Sequence, residues 1–327
     1  MPKPVASLSL DLDNQWAYMK TAGIAGWEEF PSYFDAVVPR ILETFSALGI
    51  RATVFIVGQD AELEKNQGAL ASLVEAGHEV GNHSFHHEPW LPGRTGAQIE
   101  EEIARAEEAI LAATGRRPRG WRGPSFVYSH SVYETLARRG YRYDASTFPT
   151  FVGPAARAYY FLKSGLNPRQ RKDRSELFGT LKDGLRPLKP FRWDLGRGLE
   201  LLEIPVTTMP FLRTPIHLSY LLYLAALAPA VARGYFKAAL ALCRMTGVEP
   251  SLLLHPLDFL GGDDVPELAF FPAMNRDGAW KTARTREFLE MLVRDFRPVT
   301  MEEHATLARG VSAAGLPVLA LAGTPTR

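Results

Sequence analysis

Cysteine is almost absent from this chain. Cys243 is the only one, which excludes both a disulfide framework and a cysteine-ligated zinc site. Any metal must therefore be held by His, Asp or Glu. An excess of charge of either sign is also missing: 37 Lys and Arg against 36 Asp and Glu leave a formal +1, which gives no reason to expect nucleic acid as a partner. Hydrophobic runs of membrane-spanning quality are lacking as well. Residues 216–232 contain no Lys, Arg, Asp or Glu, yet His217 and Pro229 interrupt them, and the length is borderline for a span. The segment 216–245 fits a buried or membrane-surface helix pair better.

What is present is an ordinary globular composition. An apolar fraction of 46% in 327 residues supports a full core in one large domain or two modest ones. Charge is uneven along the chain: between Arg157 and Arg197 eleven Lys/Arg face four acidic residues, a local excess of seven. Met1–Pro4 runs straight into the apolar Val5–Leu10. Removing a signal peptide would take that segment away, so a cytoplasmic protein is expected.

Apolar runs bounded by Gly, Pro or charge alternate with segments of helical period. Strands are expected at 5–10, 52–57, 78–81, 141–146, 200–207 and 251–254. Helices are expected at 33–48, 69–76, 95–114 and 131–139, several of them followed directly by Gly. In residues 33–48 the apolar positions 34, 37, 38, 41, 42, 45 and 48 draw one stripe, as an amphipathic helix requires. This strand–helix rhythm predicts an α/β fold, with a parallel (β/α) barrel leading and a doubly wound open sheet as the competitor. Residues 151–200 break the rhythm and read as an irregular basic insertion or flap. A single barrel is expected over 1–305 and a flexible, Ala/Gly/Pro-rich tail over 306–327.

Two clusters carry chemistry. In Ser9-Leu10-Asp11-Leu12-Asp13 the aspartates, two apart on a strand, share a face. Some seventy residues later comes Asn82-His83-Ser84-Phe85-His86-His87, whose His83 and His87 can converge across one turn. Two imidazoles and one carboxylate make a three-ligand site with an open position, the pattern of a catalytic metal, and leave the second carboxylate free as a base. Alone, an Asp-x-Asp reads as a turn at a strand end; beside the histidines it reads as a site. Three further segments sit where strands give way to loops: Arg122-Gly123-Pro124-Ser125-Phe126, Tyr143-Asp144-Ala145-Ser146 and Leu253-Leu254-His255-Pro256-Leu257-Asp258.

Taken together and in this order, these five segments resemble the polysaccharide deacetylase family, also called carbohydrate esterase family four, over roughly residues 5 to 300. The resemblance implies a distorted barrel of that family's type and metal-dependent removal of an N-acyl group, most often N-acetyl, from an amino sugar. It implies Asp11 as general base, Asp13, His83 and His87 as ligands of a divalent metal, with Zn²⁺ favoured by the imidazole content, and Ser84 as a support of the histidine loop. Arg122 would pair with Asp11, and a backbone N–H after Pro124 would hold the oxyanion; the family often has an aromatic directly after this proline, where this chain has Ser125 and only then Phe126. His255 would protonate the leaving nitrogen, supported by Asp144 or by Asp258. The basic stretch beside the apolar helices points to a lipid-linked or membrane-proximal glycan with peripheral contact through 157–245, against a soluble saccharide on the other side. Deformylation or another amide hydrolysis, and a carbohydrate-binding protein without catalysis, stand as alternatives.

Overall fold

A computed structural model of the chain describes residues 2–152, 183–311 and 315–321. The strands are β1 (Val5–Leu12), β2 (Thr53–Ile56), β3 (Glu79–Asn82), β4 (Gly120–Trp121), β5 (Tyr143–Asp144), β6 (Phe191–Asp194), β7 (Glu200–Glu203), β8 (Ser251–Leu254), β9 (Arg297–Val299) and β10 (Val318–Ala320). The helices are α1 (Gln15–Ala22), α2 (Phe34–Ala47), α3 (Gly58–Glu62), α4 (Glu64–Glu75), α5 (Gly96–Thr114), α6 (His130–Arg138), α7 (Leu218–Leu227), α8 (Pro229–Thr246), α9 (Gly278–Asp295) and α10 (Met301–Val311).

β1 is buried from end to end, as a central parallel strand must be. Its alternation sorts two kinds of side chain. Leu8, Leu10 and Leu12 join the large core cluster with residues of α2, α7, α8 and α9. Ser7, Ser9 and Asp11 form the other face, where Ser7 Oγ lies 2.9 Å from His304 Nδ1 and Ser9 accepts from Arg122 at 3.1 Å. The strand order is β10-β6-β7-β5-β4-β3-β2-β1-β8, with β9 also on β1. All pairings are parallel except β6 with β7.

Past Glu203 the expected strand over 200–207 leaves ladder geometry but stays hydrogen-bonded. Ile204 and Val206 N–H donate to the carbonyls of Asp144 and Thr147, and Thr207 N–H donates to Ser251 of β8 at 3.0 Å. Ser251 N–H returns a bond to Thr207 Oγ1 at 2.8 Å. The two ends of the parallel run thereby meet, and the fold is a distorted (β/α) barrel rather than an open sheet. The C-terminal strand ends gather Asp11, His83, Arg122 and His255 on one face, the usual location of a site in such a barrel.

Of the 151–200 excursion, residues 153–182 and most of its positive charge lie outside the described residues. The remainder is ordered into β6, which folds back on β7 with Trp193 and Phe191 buried. Within the tail expected to be loose from 306, the described residues include regular structure. Helix α10 runs across that boundary, its Met301 fully buried with Phe55 and Tyr143 and its first N–H bonded to Thr53 Oγ1 at 2.7 Å, while β10 pairs with β6. Helix α7 buries Leu218, Leu221, Leu222 and Ala225, which recur at helical spacing along one face, and α8 packs with it in the same cluster. Among the described residues no helix is long and apolar enough to cross a membrane.

Candidate metal centre and its surroundings

Asp13 follows the end of β1, and its Oδ1 lies 3.3 Å from His83 Nε2 and 3.0 Å from His87 Nε2. The three donor atoms all lie within 4.8 Å of one another. Donors about 2.1 Å from a tetrahedral cation would stand roughly 3.4 Å apart, so the spacing suits one small divalent ion. The donors are also short of partners: Asp13 Oδ1 and His87 Nε2 are buried without a hydrogen bond among the described residues, a costly state for polar atoms that a cation would relieve. Burial alone would push the Asp13 carboxyl up, but the imidazoles of His87 and His83 hold it well below the usual carboxylate range. Burial likewise opposes charge on His83, and Asp11 and Asp13 outweigh it, so its pKa is raised.

Each ligand is held from behind. His83 Nδ1 lies 2.7 Å from the Arg122 carbonyl, which can only accept, so the proton sits on Nδ1 and Nε2 keeps its lone pair. His87, at φ +54, donates its N–H to Ser84 Oγ at 3.1 Å. Ser84 itself sits at φ +63, and its N–H donates to the Asn82 side chain at 2.8 Å. Two left-handed residues in four make the loop turn tightly enough to bring His87 back. His86 points elsewhere: its Nδ1 meets Glu102 at 2.7 Å, and Glu102 also accepts the N–H groups of Phe85 and His86.

Asp11 stands beside the triad, with Oδ2 4.0 Å from His83 Nε2 and 3.3 Å from Arg122 Nη1. Its Oδ1 is buried without a partner among the described residues. Arg122 is fully buried, lies over the Phe55 ring at 5.0 Å, and spends Nη2 on Ser9. In the loop that follows, Ser125 and Phe126 both adopt positive φ, +53 and +62. Phe126 N–H is committed to the Gly123 carbonyl at 2.9 Å and Val127 N–H to that of Pro124. Among the described residues no hydrogen bond engages the Ser125 N–H, so it is the donor left free after the buried Pro124.

His255 and Asp13 line one cavity of about 180 Å³ together with His217, Ser219, Tyr18 and Lys281. Asp258 lies under His255, accepting its backbone N–H at 2.8 Å. Asp144 is placed elsewhere: it takes the Tyr133 hydroxyl at 2.7 Å and the Ser146 N–H and hydroxyl and packs beside Glu203, whose carboxyl burial and Asp144 push well up. Of the two acids considered for His255, the fold brings up Asp258. Burial, then the neighbouring His255, push the His217 imidazole down to about 3, so it is neutral.

Several residues here carry no motif in the sequence. Asn14 caps α1 by accepting Gln15 N–H at 2.9 Å and donates to Asp60 at 2.7 Å, while Tyr33 donates to the Asp13 carbonyl. Asp13 and its neighbour Asn14 are thus pinned by buried groups twenty or more residues away. Only Asn14 was locally readable, as an N-cap type before a helix.

The polysaccharide deacetylase family profile matches residues 26–143. A peptidoglycan deacetylase of Helicobacter pylori is 30% identical over 170 residues, which cover 51% of this chain and 52% of that protein. A peptidoglycan-N-acetylmuramic acid deacetylase of Bacillus subtilis is 31% identical over 112 residues, 34% of this chain and 41% of its own. The chain thus spans about half or less of the length of these curated relatives. A crystal structure from Mycobacterium smegmatis, assigned as a polysaccharide deacetylase, covers 100% of this chain and 99% of its own with a TM-score of 0.60. At 20% identity that likeness speaks to the fold. Over residues 26–143 the chain matches the polysaccharide deacetylase family profile, and it is similar to peptidoglycan deacetylases over about half its length.

Proposed function

We propose that this protein is a metal-dependent hydrolase that removes an N-acyl group, N-acetyl first among them, from an amino sugar. The observation that carries the reading is the convergence of Asp13, His83 and His87 beside a carboxylate, Asp11, with an unengaged buried oxygen. Asp13, His83 and His87 would hold a divalent cation, Zn²⁺ by the nitrogen content of the set, which would supply Lewis acidity toward the acyl oxygen and toward a water. Asp11 takes the proton of the attacking water. Arg122, 3.3 Å from Asp11, keeps that carboxylate oriented by a charge-assisted bond. The Ser125 N–H steadies the acyl oxygen as it gains charge, and His255 protonates the nitrogen as the C–N bond breaks. The products are a carboxylic acid and a free amino sugar.

Mass spectrometry of acyl loss over soluble and lipid-linked acyl-amino sugars, with metal content measured on the same samples, tests the reading. Release of formate would select the deformylase alternative, and an inert, metal-free protein the binding-protein alternative.

A second, finer reading places the substrate at a membrane surface. Leu227 and Val231, at the junction of α7 and α8, are 69% and 58% exposed, and Phe211 and Leu212 are 74% and 63% exposed. Apolar side chains of this exposure suit contact with lipid. Co-sedimentation with anionic liposomes is the expected result; a protein that stays in the supernatant removes the membrane reading and leaves the chemistry untouched.

A further inference from the structure

His255 is reached by a side chain from a helix that no motif marks. Ser219, in the first turn of α7, places its Oγ 2.7 Å from Asp258 Oδ1 and 3.2 Å from His255 Nδ1. Asp258 Oδ2 is occupied by the His255 backbone N–H. Behind Asp258, Lys281 is 2% exposed, with a thioether as its hydrogen-bonding partner, Met274 Sδ at 3.2 Å. Burial pushes this lysine down to about 8, opposed by the charges of Asp258 and Asp264. Asp258 is itself pushed up by burial, opposed by His255, Ser219 and Lys281. The other polar groups around His255 among the described residues are the neutral His217, with ring centroids 6.4 Å apart, Tyr18 and Asp13 around the cavity, and the Asp258 N–H, which faces the His255 side chain and is bonded to the His255 carbonyl at 2.9 Å.

Donor counting fixes the direction of the chain. A serine hydroxyl has one proton and an ionised carboxylate only accepts. Ser219 Oγ stands nearer Asp258 Oδ1 than His255 Nδ1, 2.7 against 3.2 Å, so its single proton is assigned to the carboxylate, and Ser219 Oγ is left to accept from His255 Nδ1–H. The neutral ring then carries its proton on Nδ1 and turns a bare Nε2 to the cavity; the charged ring carries the transferable proton on Nε2. We infer that Ser219 is a positioning residue that couples Asp258 to His255 and so fixes which ring nitrogen exchanges protons with the substrate nitrogen. When the C–N bond breaks, the Nε2 proton moves to the amine and the Nδ1 proton stays on the ring, bonded to Ser219. The catalytic consequence rests on the deacetylase reading; the ring's protonation pattern does not.

The test compares wild type, Ser219→Ala and Ser219→Thr. Ring ¹⁵N NMR of histidine-labelled protein, with His255 assigned by its loss in His255→Gln, reads the tautomer without substrate. The expected result is an Nδ1-protonated neutral ring in wild type and in Ser219→Thr, and loss of that preference in Ser219→Ala. For turnover, Ser219→Ala lowers kcat by about tenfold to a hundredfold, as loss of a bond within a charged network does, with KM within about twofold and threonine restoring much of kcat. An Nε2-protonated ring in wild type, or the same tautomer in all three proteins, overturns the inference. A wild type inert on every acyl sugar sinks the deacetylase reading instead, and the NMR comparison still judges the relay.

Discussion

His83 Nδ1 donates to the backbone carbonyl of Arg122 at 2.7 Å, while the side chain of that same arginine reaches Asp11 at 3.3 Å. One residue therefore orients a candidate metal ligand with its main chain and the candidate base with its guanidinium. The two roles separate on mutation. Arg122→Lys keeps the carbonyl and a positive charge but loses the fork that spans Asp11 and Ser9. We expect unchanged metal content and a kcat lower by about tenfold to a hundredfold. Equal losses of metal and activity would mean that the side chain only holds the fold.

The neighbouring histidines of the second motif should behave oppositely. His87→Ala removes a donor of the triad and is expected to abolish stoichiometric metal retention. His86 is 46% exposed in its side chain and pairs with Glu102, an interaction of the kind that contributes less than about 1 kcal/mol. His86→Ala should therefore keep its metal and most of its activity. Metal analysis after dialysis decides this, and loss of metal from the His86 variant would contradict the assignment.

A pH dependence follows from Asp60, the buried acid under Asn14 and Trp16. Burial pushes its pKa to about 7, against about 3.9 in an unfolded chain. Between these values the folded state retains a proton that the unfolded state has lost, so stability falls as pH rises from about 4 to 7, by up to roughly 4 kcal/mol. Asp60 Oδ2 has no hydrogen-bond partner among the described residues, so Asp60→Asn keeps the accepting Oδ1 and removes the ionisation. Urea unfolding at pH 5 and pH 8 should show the variant gaining on wild type at the higher pH; an equal difference at both would refute the shift.

The loop after Arg122 depends on close approach rather than on chemistry. A Cβ on Gly123 would lie 2.0 Å from the Val127 carbonyl oxygen, a contact that the backbone must move to avoid. Gly123→Ala is expected to bind metal normally and to lose kcat by about tenfold or more, through displacement of the Ser125 N–H. Wild-type turnover would show that this N–H has no part in the reaction.

The parts of this site that were legible in the sequence are those built by local periodicity. Asp11 and Asp13 could be paired because a strand repeats every two residues, and β8 and its His255 because an apolar run ended at His-Pro. Barrel closure was not legible: it rests on bonds between Thr207 and Ser251, outside any ladder and more than forty residues apart. Asp144 and Asp258 could not be separated, since which acid meets His255 depends on where Ser219 and Tyr133 fall in three dimensions. Ser219 and Lys281 were invisible for the same reason, one in a uniformly apolar helix and the other in a helix full of charge. Within the tail expected to be loose from 306, Val318–Ala320 finds an open edge on β6 that no local signal announces.

The division of labour between the two aspartates is the central claim, and one variant tests it most directly. Asp11→Asn should retain one divalent ion per chain, as measured by elemental analysis of the dialysed protein, and lose about 10²- to 10⁴-fold in kcat on any acyl-amino sugar that wild type turns over. Retained turnover with the metal still bound would show that Asp11 is not the base, and loss of the metal would show that it belongs among the ligands.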